Sequence, residues 1–311
     1  MEEVFRNILL PVDGSTQSRI AQEMTAFLSK LFKSQVTLLH VVSNELPALA
    51  GQVYSSREDF VPVNTATYQF PRTIGLSRPR ENVLPDEVIR EITEHYRQKG
   101  QTVLTEIAAR FTQQGITVKN KIVEGTDVAE SIISDAETGN YDLIIMGNSG
   151  SDVSEFDLHL GSVAHKVLLR AKIPIMIVRN KRDIRKILVP VDGSVKEEKA
   201  MRKAQTLAKA TMSTVILLHV QDASLLRLRP EIRGMGLQVL EENSNMFKGI
   251  QFEKRLVSGD PANVIIQTAK QEGADLIVMS KGELGTLKGL FLGSVSDHVL
   301  HHATVPVLLV K

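Results

Sequence analysis

The sequence predicts an α/β protein built twice over, and three observations carry that expectation. Short apolar runs of the kind buried in a parallel sheet alternate with amphipathic helical stretches. The series restarts near residue 185, with Asp13 and Asp192, and His40 and His219, separated by the same offset, so the first strand–helix–strand unit recurs without a gap. Each half also carries an apolar run, then a glycine-containing polar loop, then a Gly-Ser pair opening an amphipathic stretch. These lie from Asp142 to Val163 and from Asp275 to Ser296.

Asn7 to Val12 reads as a buried strand that ends in a turn at Asp13-Gly14-Ser15. Ser15 or Ser18 can cap the next helix, whose apolar face is Ile20, Met24, Phe27, Leu28 and Leu31. Val36 to Val42 is a second strand, and this spacing implies a right-handed parallel crossover. Residues 43 to about 84 hold Pro47, Pro62, Pro71 and Pro79 and read as an irregular insertion, either a lid or disordered chain. A long helix is expected over Asp86 to Gln114. Val118 to Val123 is a third strand, and Asp127 to about Glu137 a further helix. Leu143 to Met146 is the fourth strand. Ile173 to Val178 is the fifth, and Pro174 inside it suits a strand end or edge.

The second series repeats these elements. Arg185 to Ser194 matches the first strand, Val215 to Val220 the second, and Val305 to Val310 the fifth. The insertion has a shorter irregular counterpart at about 221–240. A charged linker near Asn180 to Asp183 divides the chain into domains 1–180 and 184–311.

With 311 residues, 42% hydrophobic and 23% charged, the chain is long enough for two ordinary globular domains. A net charge of +1 gives no electrostatic case for nucleic acid or an acidic membrane surface. The absence of cysteine excludes disulfides and thiolate metal sites. The N-terminus is acidic and lacks a signal-peptide apolar region, and no apolar run is long enough to span a membrane, so a cytoplasmic location is expected.

The residues Ile8-Leu9-Leu10-Pro11-Val12-Asp13-Gly14-Ser15 and Ile187-Leu188-Val189-Pro190-Val191-Asp192-Gly193-Ser194, the two Leu-Leu-His-Val runs and the two Met…Gly-Ser-Val endings resemble the universal stress protein family. The resemblance covers nearly the whole chain outside the insertion. It implies two tandem doubly wound five-stranded parallel sheets with helices on both faces, Rossmann-like and similar to the adenine nucleotide alpha-hydrolases. It places a ligand crevice at the carboxyl edge of each sheet. It further implies pairing through the last strands, so that a tandem chain looks like an intramolecular pseudo-dimer, with a homodimer of the whole chain left open.

ATP-binding members of the family carry Gly, two residues, Gly, nine residues, then Gly-Ser or Gly-Thr. Gly147, Gly150, Gly161 and Ser162 match this pattern with ten residues in the long gap, and Asp152, Glu155 and Asp157 lie within it. In the second half Ser280 falls at the first glycine and Glu283 at the second, a shifted alignment uses Gly282, and Gly293-Ser294 is intact. Lys281 and Lys288 add positive charge. Glycines let backbone N–H groups approach a phosphate, and a helix start adds unpaired donors. The first half is therefore expected to bind ATP more tightly. The resemblance gives Pro11, Asp13, Val41, Met146 and Val163, with Pro190, Asp192, Val220, Met279 and Val295, as further nucleotide-contacting positions. Asp13 and Asp192 read equally as turn carboxylates, and Val41 and Val220 read more readily as core.

Gly125 and Gly259 read as turn glycines, and His40 and His219 as packed, hydrogen-bonded histidines. His298, His301 and His302 have helical spacing, but the sequence supplies no carboxylate set beside them, so no metal site is expected. No nucleophile–base pair, P-loop or dinucleotide fingerprint is present. The expected function is a stress-response regulator or scaffold that binds ATP or AMP, with Mg2+ where phosphates require it, and an unknown protein partner. A nucleotide-independent scaffold and a slow ATPase are the alternatives.

Overall fold

A computed structural model describes residues 5–43, 86–149, 160–180, 183–229, 234–282 and 292–311. The expected insertion lies outside them, apart from Ser43. The first half runs β1 (Asn7–Pro11), α1 (Thr16–Phe32), β2 (Gln35–Ser43), α2 (Asp86–Gln113), β3 (Thr117–Gly125), α3 (Val128–Thr138), β4 (Leu143–Gly147), α4 (Ser162–Arg170) and β5 (Ile175–Val178). The second runs β6 (Lys186–Pro190), α5 (Glu197–Thr211), β7 (Thr214–Asp222), α6 (Ala223–Leu228), α7 (Met235–Ser244), a 3-10 turn at Asn245–Phe247, β8 (Phe252–Gly259), α8 (Pro261–Gln271), β9 (Leu276–Ser280), α9 (Ser294–His302) and β10 (Val307–Val310). The stretch expected to be irregular, 221–240, therefore holds α6 and the start of α7. Pro230, Gly234 and Gly236 mask the helical period there.

The two expected five-stranded sheets join into one. Ten strands run in the order β3-β2-β1-β4-β5-β10-β9-β6-β7-β8. Neighbours are parallel except at the junction, where β10 meets β5 antiparallel with Val307 opposite Ile177 and Leu308 opposite Met176. Pro174 and Pro306 lie just outside these strands rather than within them. Their carbonyls accept the N–H groups of Ile144 and Ile277, both at 3.0 Å, so neither strand needs the N–H that proline lacks.

Alternation along the strands feeds two cores, one on each side of the sheet. Ile8 and Leu10 face a core with α1, α2 and α5, through Met24, Leu28, Leu104, Ile107, Phe111 and Leu207. Leu9 faces a second core with α3, α4, α8 and α9, through Ile132, Val167, Leu168, Ile265, Val299 and Leu300. Both cores run through both halves. The start of each first strand is fixed by a distant carboxylate. Asp142 Oδ2 accepts the N–H groups of Arg6 and Asn7, both at 2.9 Å, and Asp275 Oδ2 accepts those of Arg185 and Lys186 at 2.9 and 3.0 Å.

The junction is closed by reciprocal cations. Arg179, just after β5, donates Nη2 to the carbonyl of Leu300 near the end of α9. Lys311, just after β10, donates to the carbonyls of Leu168, at 2.6 Å, and Ala171 at the end of α4. Lys281 adds a bond to the Leu169 carbonyl at 2.7 Å. A helix C-terminus favours positive charge, yet burial pulls Arg179 down to about 10. Burial, and then the neighbouring Lys281, pull Lys311 down to about 7. Among the described residues no helix is long and apolar enough to cross a membrane.

Candidate functional site

In each half the chain leaves the first strand toward one side and the fourth toward the other, so a crevice opens at their carboxyl ends. In the second half this crevice is a cavity of about 310 Å³. It is lined by Pro190, Asp192, Val220, Met279, Ser280, Gly282, Gly293, Ser294 and Val295, so the second-half positions that the resemblance gave as nucleotide-contacting meet in one place. Pro190 ends β6, Met279 and Ser280 end β9, and Val220 lies in β7 against the second core. In the first half Pro11, Val41, Met146, Gly147, Ser162 and Val163 take the matching positions on β1, β2, β4 and α4, with Asp13 in the turn after β1 and Gly161 capping α4. Gly150 lies outside the described residues, as do Asp152, Glu155, Asp157, Glu283 and Lys288.

The loop glycines have packing reasons to be glycine. A methyl at Gly147 would come within 2.9 Å of the backbone of Gln17 in α1. The matching residue Ser280 carries a side chain, and the helix facing it begins later, at Glu197 rather than at the equivalent of Thr16. Gly161 donates its N–H to the Asn148 carbonyl at 2.6 Å, and Gly293 to Gly282 at 2.7 Å. The second loop thus makes this contact one residue further along, as the shifted alignment with Gly282 requires. There a methyl on Gly293 would stand 2.9 Å from the Gly282 Cα.

The helices that start at these loops differ from others in the sheet layers. Ser15, Asp127 and Asp260 cap α1, α3 and α8 through their side chains. Glycines 161 and 293 cap α4 and α9 with no side-chain hydrogen bond, which leaves first-turn N–H groups for other acceptors. Asp13 and Asp192 each accept the N–H two residues on, from Ser15 at 2.9 Å and Ser194 at 2.7 Å, so both close the turn after the first strand. His40 and His219 donate Nδ1 to the carbonyls of Val12 and Val191, both at 2.8 Å, and tie the same turns to the second strands.

One lining residue escaped sequence reasoning. Glu197 opens α5 and is 6% exposed. Its carboxyl accepts the N–H groups of Asp192 at 2.5 Å and Gly193 at 3.1 Å. Burial first, and the adjacent Asp192 second, push it up to about 8. The signal available was the repeat itself, because Ser18 occupies this position in the first half, also buried. Lys281 does not supply the positive charge expected of it here, since its ammonium reaches the Leu169 carbonyl across the junction. The described lining therefore holds two carboxyl groups and no lysine or arginine.

Comparison with known proteins places this architecture. The model of the universal stress protein family matches twice, over residues 5–179 and 183–311. A universal stress protein of Synechocystis is 24% identical over 308 residues, covering 98% of this chain and 99% of its own. One from Bacillus subtilis is 33% identical over 145 residues, 40% of this chain and 98% of its own. The crystal structure of a universal stress protein from Archaeoglobus fulgidus superposes with a TM-score of 0.68 at 25% identity, covering 98% of both chains. Matched twice along its length by the family model, the chain belongs to the universal stress protein family.

Proposed function

We propose that the chain binds an adenine nucleotide, ATP or AMP, in these crevices and works as a stress-response regulator or scaffold rather than as a catalyst. The observation that carries the reading is the convergence of Pro190, Asp192, Val220, Met279, Gly282, Gly293 and Ser294 on one cavity at the start of a helix without a side-chain cap. The apolar part, Val220, Met279 and Val295, suits a purine face. The open N–H groups of α9 suit phosphate. At about 310 Å³ the cavity is at the small end of the range for ligand pockets.

The first half is the tighter site. Where the first crevice sets the small Ser18, the second sets the bulkier Glu197, which takes space in the cavity and already binds the N–H groups of Asp192 and Gly193. Mg2+ offsets the repulsion between Asp192 and phosphate by bridging the two. The second reading, a scaffold that needs no nucleotide, draws on the same two carboxyl groups and on the packing roles of Gly147, Gly282 and Gly293.

The test is to denature the purified protein, identify any released nucleotide, and titrate the stripped protein with ATP and Mg2+ by calorimetry. We expect a tighter and a weaker site. Gly150→Asp is expected to weaken the tighter one by roughly thirty- to a thousandfold, from lost backbone contacts and added repulsion. No released nucleotide together with no heat of binding would establish the scaffold instead.

A further inference from the structure

The junction between the halves carries a second cluster of chemically active side chains, none of which lines the second-half cavity. His165 in α4 and Asp297 in α9 occupy matching positions, each three residues after the Ser of its Gly-Ser pair. The two helices meet across the junction, so these positions face each other: His165 Nε2 lies 3.5 Å from Asp297 Oδ1. One turn further along α9, His301 places Nδ1 3.6 Å from the same oxygen. The rings of His165 and His301 meet edge to face, with centroids 5.6 Å apart. One donor atom from each of the three residues lies within 4.8 Å of the other two.

We propose that His165, Asp297 and His301 bind a divalent first-row transition ion of the zinc class, and that the ion pins the two halves together. A tetrahedral ion with nitrogen and oxygen donors at about 2.0–2.2 Å holds its donors roughly 3.4 Å apart. The 3.5 Å contact already has that spacing, and binding draws in His301, the three donors now lying within 4.8 Å of one another. Two imidazoles and one carboxylate select zinc, nickel, cobalt or copper over magnesium and calcium, which take oxygen donors. His301 Nδ1, the atom 3.6 Å from Asp297 Oδ1, donates to the Asp297 carbonyl at 2.8 Å, so the ion takes this ring through Nδ1 in exchange for that bond or through Nε2 after the ring turns. All three side chains are between 30% and 43% exposed, which gives an ion access and leaves water for a fourth position.

The repeat explains why such a site belongs to a fused chain. In a dimer of identical halves one residue would face its own copy. Fusion has allowed His on one side and Asp on the other, with His301 where the first half has Leu169. The sequence concealed the trio because its members come from different halves. The spacing that drew notice, His298, His301 and His302, pairs only His301 with the cluster. His298 and His302 stack on each other, with centroids 4.1 Å apart.

The experiment uses the full chain, stripped of metal with EDTA and free of nucleotide. Zn2+ is titrated by equilibrium dialysis, and thermal melts are recorded with and without it. We expect one equivalent bound at micromolar or lower concentration and a higher melting temperature with zinc, since an ion bridging the docked halves binds only the folded state. His165→Ala and Asp297→Asn should each weaken binding at least about tenfold, with metal-free melts near the parent's. His301→Gln should do the same, and a variant carrying His298→Ala and His302→Ala should bind as the parent does. The proposal is overturned if the parent binds no stoichiometric zinc. It is equally overturned if binding follows His298 and His302 while His165→Ala and Asp297→Asn leave it unchanged.

Discussion

The two crevices are copies of one design, and they have come to be filled differently. In the first, α1 begins at Thr16, close enough to β4 that Gly147 has no room for a side chain. In the second, α5 begins later, Ser280 fits, and the space at the helix start is taken by Glu197, held by the N–H groups of Asp192 and Gly193. A glycine that matches a nucleotide motif can thus be required by a neighbouring helix before any ligand arrives. Its loss in the other copy reports where that helix starts as much as what the crevice binds.

The largest expected effect comes from removing what the second crevice has and the first lacks. Glu197 is raised from 4.5 to about 8, so the folded state keeps its proton longer than the unfolded chain does. The stability it contributes is full below about pH 4.5 and is lost as pH rises through about 8. Glu197→Gln should flatten that decline and make the protein more stable at pH 9 by roughly 2–4 kcal/mol, read by urea denaturation across pH. Above about pH 8, where Glu197 is ionised, the same variant should tighten ATP at the weaker site. An unchanged pH profile would show that Glu197 is ionised at little cost, and the contrast between the crevices would shrink.

Next comes Gly147→Ala, which forces the backbone of Gln17 to move and should cost roughly 1–3 kcal/mol of stability. Ser280→Ala in the second half should stay within about 0.5 kcal/mol. Equal losses in denaturant midpoint would remove the packing explanation. At the junction, Lys311 is lowered from 10.5 to about 7, so between these values the unfolded chain holds the proton and stability rises with pH. Lys311→Met should abolish that rise, roughly 1–2 kcal/mol. Arg179→Met should leave the profile below pH 9 unaltered in shape, because its own value is about 10. The smallest effect is expected from Ser280→Gly, which restores the motif by sequence alone. ATP affinity at that site should change by less than about 0.5 kcal/mol, and a tenfold gain in the calorimeter would show that the motif glycine itself meets the ligand.

Much of this was legible in the residues. The repeated offset from Asp13 to Asp192 and from His40 to His219 located the strands and both crevices, because strand and turn chemistry is local. The joining of two sheets into one is the pairing through the last strands that the family resemblance implied, although the apolar runs of β5 and β10 alone do not say which edge they will meet. The helices α6 and α7 were hidden by Pro230, Gly234 and Gly236. Glu197 was hidden because burial is a property of the packed helix start. Lys281 offered positive charge to the second loop, but the fold turns it toward the carbonyl of Leu169 in the other half.

The antiparallel pairing of β10 with β5 has a consequence for synthesis. β5 is complete at Val178, but its partner ends at Val310, roughly 130 residues later. At translation rates of about 5–20 residues per second the finished first half waits roughly 7–26 s with its apolar edge strand unpaired. An open, flat, apolar edge is a template for pairing with the wrong chain. On a polysome the nearest such edge belongs to another nascent copy of the same first half, so crowded ribosomes would favour exchanged pairs in which β5 meets the β5 of a neighbour.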